Sequence, residues 1–527
     1  MSLSQWNPLP LSLILLSSAA IPTYPQTQAA APAQEAAALH AELDQLKEEY
    51  TGRIAALELR LAELEARTGN PPAVPPATAA TPPLTATAPA QNGQQRHRNQ
   101  QLREQGVEQE QELGVEPRYD EIRDAEIAVP DLQHPIRPFE FHGYFRSGTG
   151  VNGKGGQQAT FQAPGAGAKY RLGNEERAYG EMAFVNDWVN PEHASGNAWF
   201  KSAFLIEADA TETSNFVSND HFRLREAFVQ AGNLFDSQPS AKFWAGERYY
   251  RRYDIDINDF YTVDMSGYGG GVEDLNVKIG HAAIAYLFGA EPSIVTNAGT
   301  YQKSNIDLRL YNVKAPGGKI GVWYNFAVAP GGTESNGTVI PSTHGFDIGV
   351  HYLKAEWHGG YLRSSIQYGT GPASNFRTEL IEPSPYLKNA STLLIADHLL
   401  IQPNQKFAIL PLFLYERRKD GNPADGVNHW FSFGARPVYF FAPHLSLAFE
   451  SGFDRTTSGT GAYSGWLRKY TIAPQIGAGR LYFDRPVLRV FYTYASWSNG
   501  FRGLVGGPTY LNATQGMSYG VQVETNW

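Results

Sequence analysis

The sequence predicts an all-β protein: a transmembrane barrel of antiparallel strands around a watery bore, spanning residues 139–527 behind a short helical coiled coil. Three observations predict it. The stretch FEFHGYFRSGT sets Phe139, Phe141 and Phe145 against Glu140, His142, Tyr144 and Arg146, the period of a strand with one oily and one wet face. The pattern recurs down to MSYGVQVETNW at the end of the chain, between turn-forming stretches such as YNVKAPGGK and APGGTESNGT. Charges such as Glu450 in HLSLAFESGF fall on the polar face, and the chain closes on an aromatic, Trp527. A soluble β-sandwich alternates similarly, but its packed core does not hold such charges. The mean hydropathy of −0.37 does not argue against a barrel, whose strands alternate instead of running apolar.

The elements ahead of the barrel follow in order. Residues 1–31 read as an export signal, with LPLSLILLSSAA as its apolar core and cleavage after Ala20 or Ala31. No Lys or Arg precedes that core, which leaves a disordered tail as the competing reading. In residues 32–68, apolar side chains at Leu39, Leu43, Leu46, Tyr50, Ile54, Leu57, Leu61 and Leu64 keep a heptad rhythm with one stutter. This is a coiled coil about 40 Å long, or a single helix packed on another surface. Residues 69–117 form a linker, Pro/Ala/Thr-rich and then Gln/Glu/Arg-rich, whose proline pairs bar a continuing helix. A lead-in, 118–138, connects it to the barrel.

The chain has 527 residues, no cysteine and a net charge of −9. Disulfides, thiolate metal sites and cysteine nucleophiles are therefore excluded, and nucleic acid is not the expected partner. GTGVNG (148–153) matches a dinucleotide fingerprint but ends a strand in a turn with no helix following. DIDIND (254–259) fails as a calcium loop, because Asp259 and Met265 stand where Gly and Glu are needed. Asp254 and Asp259 as a glycosidase pair would need a raised pKa in a water-controlled pocket, which an open lumen does not offer. The expectation is no catalytic residue, metal, cofactor or enzyme activity.

FEFHGYFRSGTG, KYRLGNEERAYGEM, LREAFVQAGNLF, WAGERYYRRYDIDINDFYTVDMSG and RPVLRVFYTYASW occur in this order. Together they resemble the maltoporin family of sugar-specific outer-membrane porins across 139–527, with the coiled coil pointing to its sucrose-porin branch. The resemblance implies a trimer of eighteen-stranded barrels narrowed by an inward-folded third loop, in a bacterial outer membrane with the N-terminal extension in the periplasm. It further implies an aromatic slide at Tyr144, Tyr179, Tyr261, Phe441 and, from a neighbouring subunit, Phe216. The facing polar track would be Arg146, Arg171, Glu181, Arg225, Arg252, Asp254 and Asp259. Two slide positions depart from the family: Asn526 replaces a tryptophan, and the mid-chain phenylalanine falls near Ile348 or Gly349.

Sugars suit such a lining, since a pyranose has apolar faces for a ring and a hydroxyl rim for charged partners. The function expected is passive diffusion of mono- and oligosaccharides, of the maltose, maltodextrin or sucrose kind. A general diffusion porin with relaxed specificity is the alternative, and a trimeric structural or adhesive protein the third class. Expected partners are sugars, outer-membrane lipid, two further copies of the chain, and a periplasmic protein or the cell wall at the coiled coil.

Overall fold

In the computed structural model the described residues are 139–527 without 176, 191–196, 211–219, 297–298, 334–336 and 380–383. The signal, coiled coil, linker and lead-in expected over 1–138 lie outside them.

The alternating segments become wall strands. The first nine are β1 (Phe139–Asn152), β2 (Ala178–Val189), β3 (Trp199–Ala210), β4 (Asp220–Gly232), β5 (Lys242–Arg248), β6 (Gly267–Asn276), β7 (His281–Thr296), β8 (Gly299–Ala315) and β9 (Gly318–Ala329). The rest are β10 (Thr343–Trp357), β11 (Gly360–Thr370), β12 (Ser391–Leu399, resumed at Ile401–Asn404), β13 (Phe407–Lys419), β14 (Asn428–Phe440), β15 (Leu445–Thr457), β16 (Ser464–Gly477), β17 (Val487–Trp497) and β18 (Gln515–Asn526). Each pairs antiparallel with the next, and β18 returns to β1 with Tyr144 opposite Asn526 and Arg146 opposite Glu524. The result is a closed eighteen-stranded barrel, which leaves no unpaired edge.

The period of two sorts the side chains. On β15, Leu445 and Phe449 are exposed outside while Ser446, Ala448 and Glu450 are buried inside. Where the first and last strands meet, Phe141 lies against Phe184 at 5.2 Å and Trp527 at 5.7 Å, part of an outward aromatic cluster suited to a lipid interface. At the barrel end that holds Phe139 and Trp527, turns are as short as 316–317, 358–359 and 405–406. At the opposite end, connections include 153–177, 371–390 and 498–514. Short turns mark the periplasmic end and long loops the outside.

Two of the outer loops fold into the bore. β5 pairs directly with β6, and the intervening third loop, 249–266, makes its own hairpin of Arg252–Ile255 and Phe260–Asp264. Ile255 and Ile257 on it are fully buried. The first loop, 153–177, buries Phe161, Tyr170 and Leu172 in the same cluster. That cluster also takes in inward residues of β13–β17, including Leu410, Leu412, Leu414, Trp430 and Phe491. The two loops thus cover this side of the inner wall, where apolar residues lie beside buried charges such as Glu450, Asp454 and Lys469. Gly434 and Gly452 make the packing possible, since a Cβ at either would run into the Tyr170 ring. The third loop is further tied to the loop after β11: Asp264 N–H donates to Phe376 O at 3.0 Å, and Thr378 N–H to Asp264 O at 3.2 Å.

Candidate functional site

Three of the aromatic residues singled out in the sequence, Tyr144, Tyr179 and Tyr261, lie within the bore. Tyr144 on β1 and Tyr179 on β2 point inward from neighbouring strands, with ring centres 6.3 Å apart. Tyr144 is only 1% exposed. Its hydroxyl donates to Glu524 Oε1 at 3.2 Å and accepts from Arg171 Nη2 at 3.1 Å. Tyr179 is half-buried, lies under the Arg146 guanidinium at 5.0 Å, and donates to Glu181 Oε1 at 2.5 Å. Tyr261, on the third-loop hairpin, is also half-buried.

The sequence reading missed the residue that joins these tyrosines. Tyr249, just past β5, lies in one apolar cluster with Tyr144 and Leu205, with Tyr179 packed against it. Its hydroxyl accepts from Arg225 Nε at 2.9 Å and reaches Glu181 Oε1 at 3.5 Å. The Arg252 guanidinium sits 4.1 Å from the Tyr249 ring centre and 4.0 Å from that of Tyr261, between the two. Burial, then the neighbouring Glu181 carboxylate, push the Tyr249 phenol above its ordinary range, so it remains a donor at neutral pH.

The polar track is a chain of ion pairs around the same cluster. Arg146 reaches Asp259 at 2.9 Å and Glu175 at 3.3 Å. Arg171 reaches Glu175 at 3.4 Å, Asp256 at 3.6 Å and Glu524 at 3.4 Å. Burial alone would lower the Arg171 pKa, but Glu175, Tyr144, Glu524 and Asp259 together hold it well above the ordinary value. Arg225 reaches Glu207 at 2.9 Å and Arg252 reaches Asp264 at 3.5 Å. Asp254 lies opposite Tyr261 on the hairpin.

A bulge sharpens this track. Leu205 pairs with Glu226 and Ile206 with Leu224, so Arg225 is an extra residue in β4. Arg223 and Arg225 both reach Glu207, while Glu226 accepts the Tyr249 N–H at 2.9 Å. The charges alternate in sign along the path.

Three expectations need correction or a boundary. Phe441 does not face the bore: it is 62% exposed, its ring lies 5.1 Å from outward Tyr439, and the inward residue is Phe440. A period of two allows only one of two adjacent phenylalanines to point in. Mid-wall, Ile348 faces out at 51% exposure and Gly349 faces in. A Cβ on Gly349 would fall inside the indole of Trp323, its β9 partner, which lies 5.9 Å from the third-loop Tyr253. The aromatic absent at that position is thus present on the next strand, buried behind the third loop. Phe216 lies outside the described residues.

Glu524, on β18, also went unnoticed in the sequence. It receives Tyr144 and Arg171 from the slide side, and Arg485 at 3.1 Å and Arg489 at 3.0 Å from the periplasmic side. Its inward parity with Asn526 was the available signal.

With that geometry in place, comparison with known proteins adds the following. A family model described as LamB porin matches residues 139–527. Among solved structures the chain is similar to OmpF of Salmonella typhi in complex with daunomycin, with TM-score 0.36, 9% identity, and 74% of this chain and 97% of that chain covered. It is similar to Acinetobacter baumannii OccAB4, with TM-score 0.40, 11% identity, and 75% and 100% covered. It is also similar to an anion-selective porin from Comamonas acidovorans, with TM-score 0.36, 10% identity, and 73% and 99% covered.

Proposed function

The chain belongs to the LamB porin family and is an outer-membrane channel for solute diffusion; from that premise we propose that its cargo is carbohydrate, moved passively and without catalysis. One observation carries the reading: Tyr144, Tyr179 and Tyr261 gather with Tyr249 against a track of alternating charge. A ring of one sign would select ions, whereas interleaved Arg and Asp/Glu offer a neutral polyol donors and acceptors without a net potential. Half-buried Tyr179 and Tyr261 supply ring surface for the C–H face of a sugar. Several weak sites in series let a solute enter without being trapped.

The burial of Tyr144 favours a second reading. A ring only 1% exposed offers a sugar little surface, so the slide is short and suits mono- to trisaccharides better than long chains. At the limit of a slide too short to select, the protein is a general diffusion porin. Liposome swelling separates the two: selective passage predicts that some sugars outrun others of equal size, and rates ordered by size alone would establish the general porin.

We also propose that the channel works as a homotrimer, with 32–68 forming a three-helix coiled coil in the periplasm that meets a protein or the cell wall. Cross-linking of the full chain, compared with a form lacking 32–117, tests this. Trimers are expected in both, because the coiled coil is read as an accessory.

A further inference from the structure

The outward face of β13–β16 carries a set of charges that the bore does not use. The parity that turns Phe413, Phe433, Phe449 and Ile472 outward also turns out Arg417 and Lys419 on β13, Arg455 on β15 and Arg468 on β16. Lys419 ends β13, and Arg417 precedes it by two residues. Arg455 lies two residues before the end of β15, and Arg468 four after the start of β16. All four therefore sit toward the long-loop end of the wall, on the side that meets the outer leaflet. Arg417 and Lys419 are half-buried, while Arg455 and Arg468 are exposed.

No acid on this face answers them. Glu416, Glu450 and Asp454, the carboxylates of the same strands, have the inward parity. Asp420, just past β13, is already held by Arg418 at 3.0 Å and Asn428 at 2.8 Å. Among the described residues none of the four cations forms an ion pair. A charge turned toward lipid costs free energy that grows with depth, so four together call for an anion in the same layer.

The surface next to them is aromatic. Phe433 stacks on Phe453 at 4.7 Å and meets the Trp466 indole at 6.2 Å, and Phe431 lies 6.3 Å from that indole. The Arg455 guanidinium is 5.6 Å from the Trp466 ring centre. Register sets Arg417 opposite His429, Arg455 opposite Phe431 and Trp466, and Arg468 opposite Phe453. The three arginines thus cross the four strands diagonally along one apolar sheet. Their stems can lie on the rings while their heads reach the interface, and a guanidinium grips phosphate with two parallel hydrogen bonds. Elsewhere the outer end differs in sign: β5 and β6 pair outward Glu247 with Tyr268.

We infer that this patch binds the phosphorylated headgroup of a lipid in the outer leaflet. Arg417, Arg455 and Arg468 hold the phosphates, Lys419 adds charge at the rim, and the acyl chains lie on Phe433, Phe453 and Trp466. A row of cations beside a lipid-facing aromatic surface fits an amphiphile better than a soluble anion or an acidic protein. The site faces away from the bore and is independent of the cargo.

The test titrates the full-length channel, in micelles of a neutral detergent, with lipopolysaccharide, with the same glycolipid stripped of its phosphates, and with inorganic phosphate. Single-channel conductance serves as the folding control. Lipopolysaccharide should bind saturably and the stripped form far more weakly. Arg455→Gln and Arg468→Gln should each weaken lipopolysaccharide binding about fivefold. Lys354→Gln, which removes an outward charge at the periplasmic end of β10, should leave it unchanged. Binding to the unmodified channel should also weaken as salt is raised, a measurement that stands even where a variant forms no channels. Equal binding by all variants, equal binding of the stripped glycolipid, or indifference to salt would each overturn the inference. So would tight binding of inorganic phosphate alone, the mark of a free-anion site. Variants that bind the glycolipid normally but lose cross-linked oligomers would make the patch an interface between copies and overturn it as well.

Discussion

Replacing Glu524 with Gln should loosen the periplasmic half of the bore. The carboxylate accepts from Tyr144, Arg171, Arg485 and Arg489, three of them guanidinium donors. The amide keeps the shape but not the charge, and each charge-assisted bond reduced to a neutral one costs about 1 kcal/mol. In a dry site the total would be about 3 kcal/mol. Arg171 retains Glu175 and Asp256, Arg489 retains Gln475 at 2.7 Å, and bore water can solvate the remainder. A net cost of about 1–2 kcal/mol falls mainly on connection 478–486, held through Arg485. That shifts the ratio of its seated to released forms about 5- to 30-fold. Single-channel recording reads it as open-channel noise and a conductance above the unmodified value, since a released connection narrows the exit less. A folded E524Q channel with the same conductance and the same quiet current would refute the assignment of Glu524 as the tie between slide and exit.

Other perturbations separate residues that line the path from those that support it. Tyr179→Ala and Tyr261→Ala should each weaken sugar block about two- to tenfold, the scale of one ring contact. Tyr261→Ala should also unseat Arg252, visible as noise. Phe441→Ala should leave sugar block unchanged because that ring lies outside the bore; a change comparable with that of Tyr179→Ala would reverse the correction made above. Burial would raise the Asp264 pKa, but Arg252, Arg377 and Ser266 outweigh it and hold the carboxyl below its ordinary value. The sign follows: this tie on the third loop is fully present above about pH 4 and is lost only as pH falls through the depressed folded value. Asp264→Asn should therefore show at neutral pH the third-loop noise that the unmodified channel shows only in strong acid. Onset of that noise in the unmodified channel near pH 6 would contradict the assignment.

Strands with one wet and one oily face were legible in the sequence. β1 and β18 announce themselves by alternation, and the three tyrosines read from motif and parity do meet in the bore. β13 does not announce itself: FAILPLFLYERRK is apolar on both faces because Leu410, Leu412 and Leu414 pack against the inward-folded loops. Parity also cannot be carried through a strand end, and a slip of one residue exchanges the two faces. Phe441 in RPVYFFAP came from the resemblance alone; it lies one residue past the end of β14, where Phe440 is the residue that turns in. Tyr249 and Glu524 were hidden for a different reason. Their roles depend on partners from distant strands and loops, such as Arg225, Glu181, Arg485 and Arg171, and no local pattern encodes such meetings. The Trp323 indole over Gly349 is of the same kind: a glycine in a strand signals a close approach without naming what approaches.

The central claim is that a sugar slides along the Tyr179–Tyr261 side of the bore, held by ring and rim together. Titrating the ion current of a single channel with glucose, sucrose, maltose and maltotriose tests it most directly. Saturable block is predicted, with constants that differ between sucrose and maltose despite their equal size. Current that falls only with the bulk viscosity of the solution, alike for both disaccharides and without saturation, would contradict it.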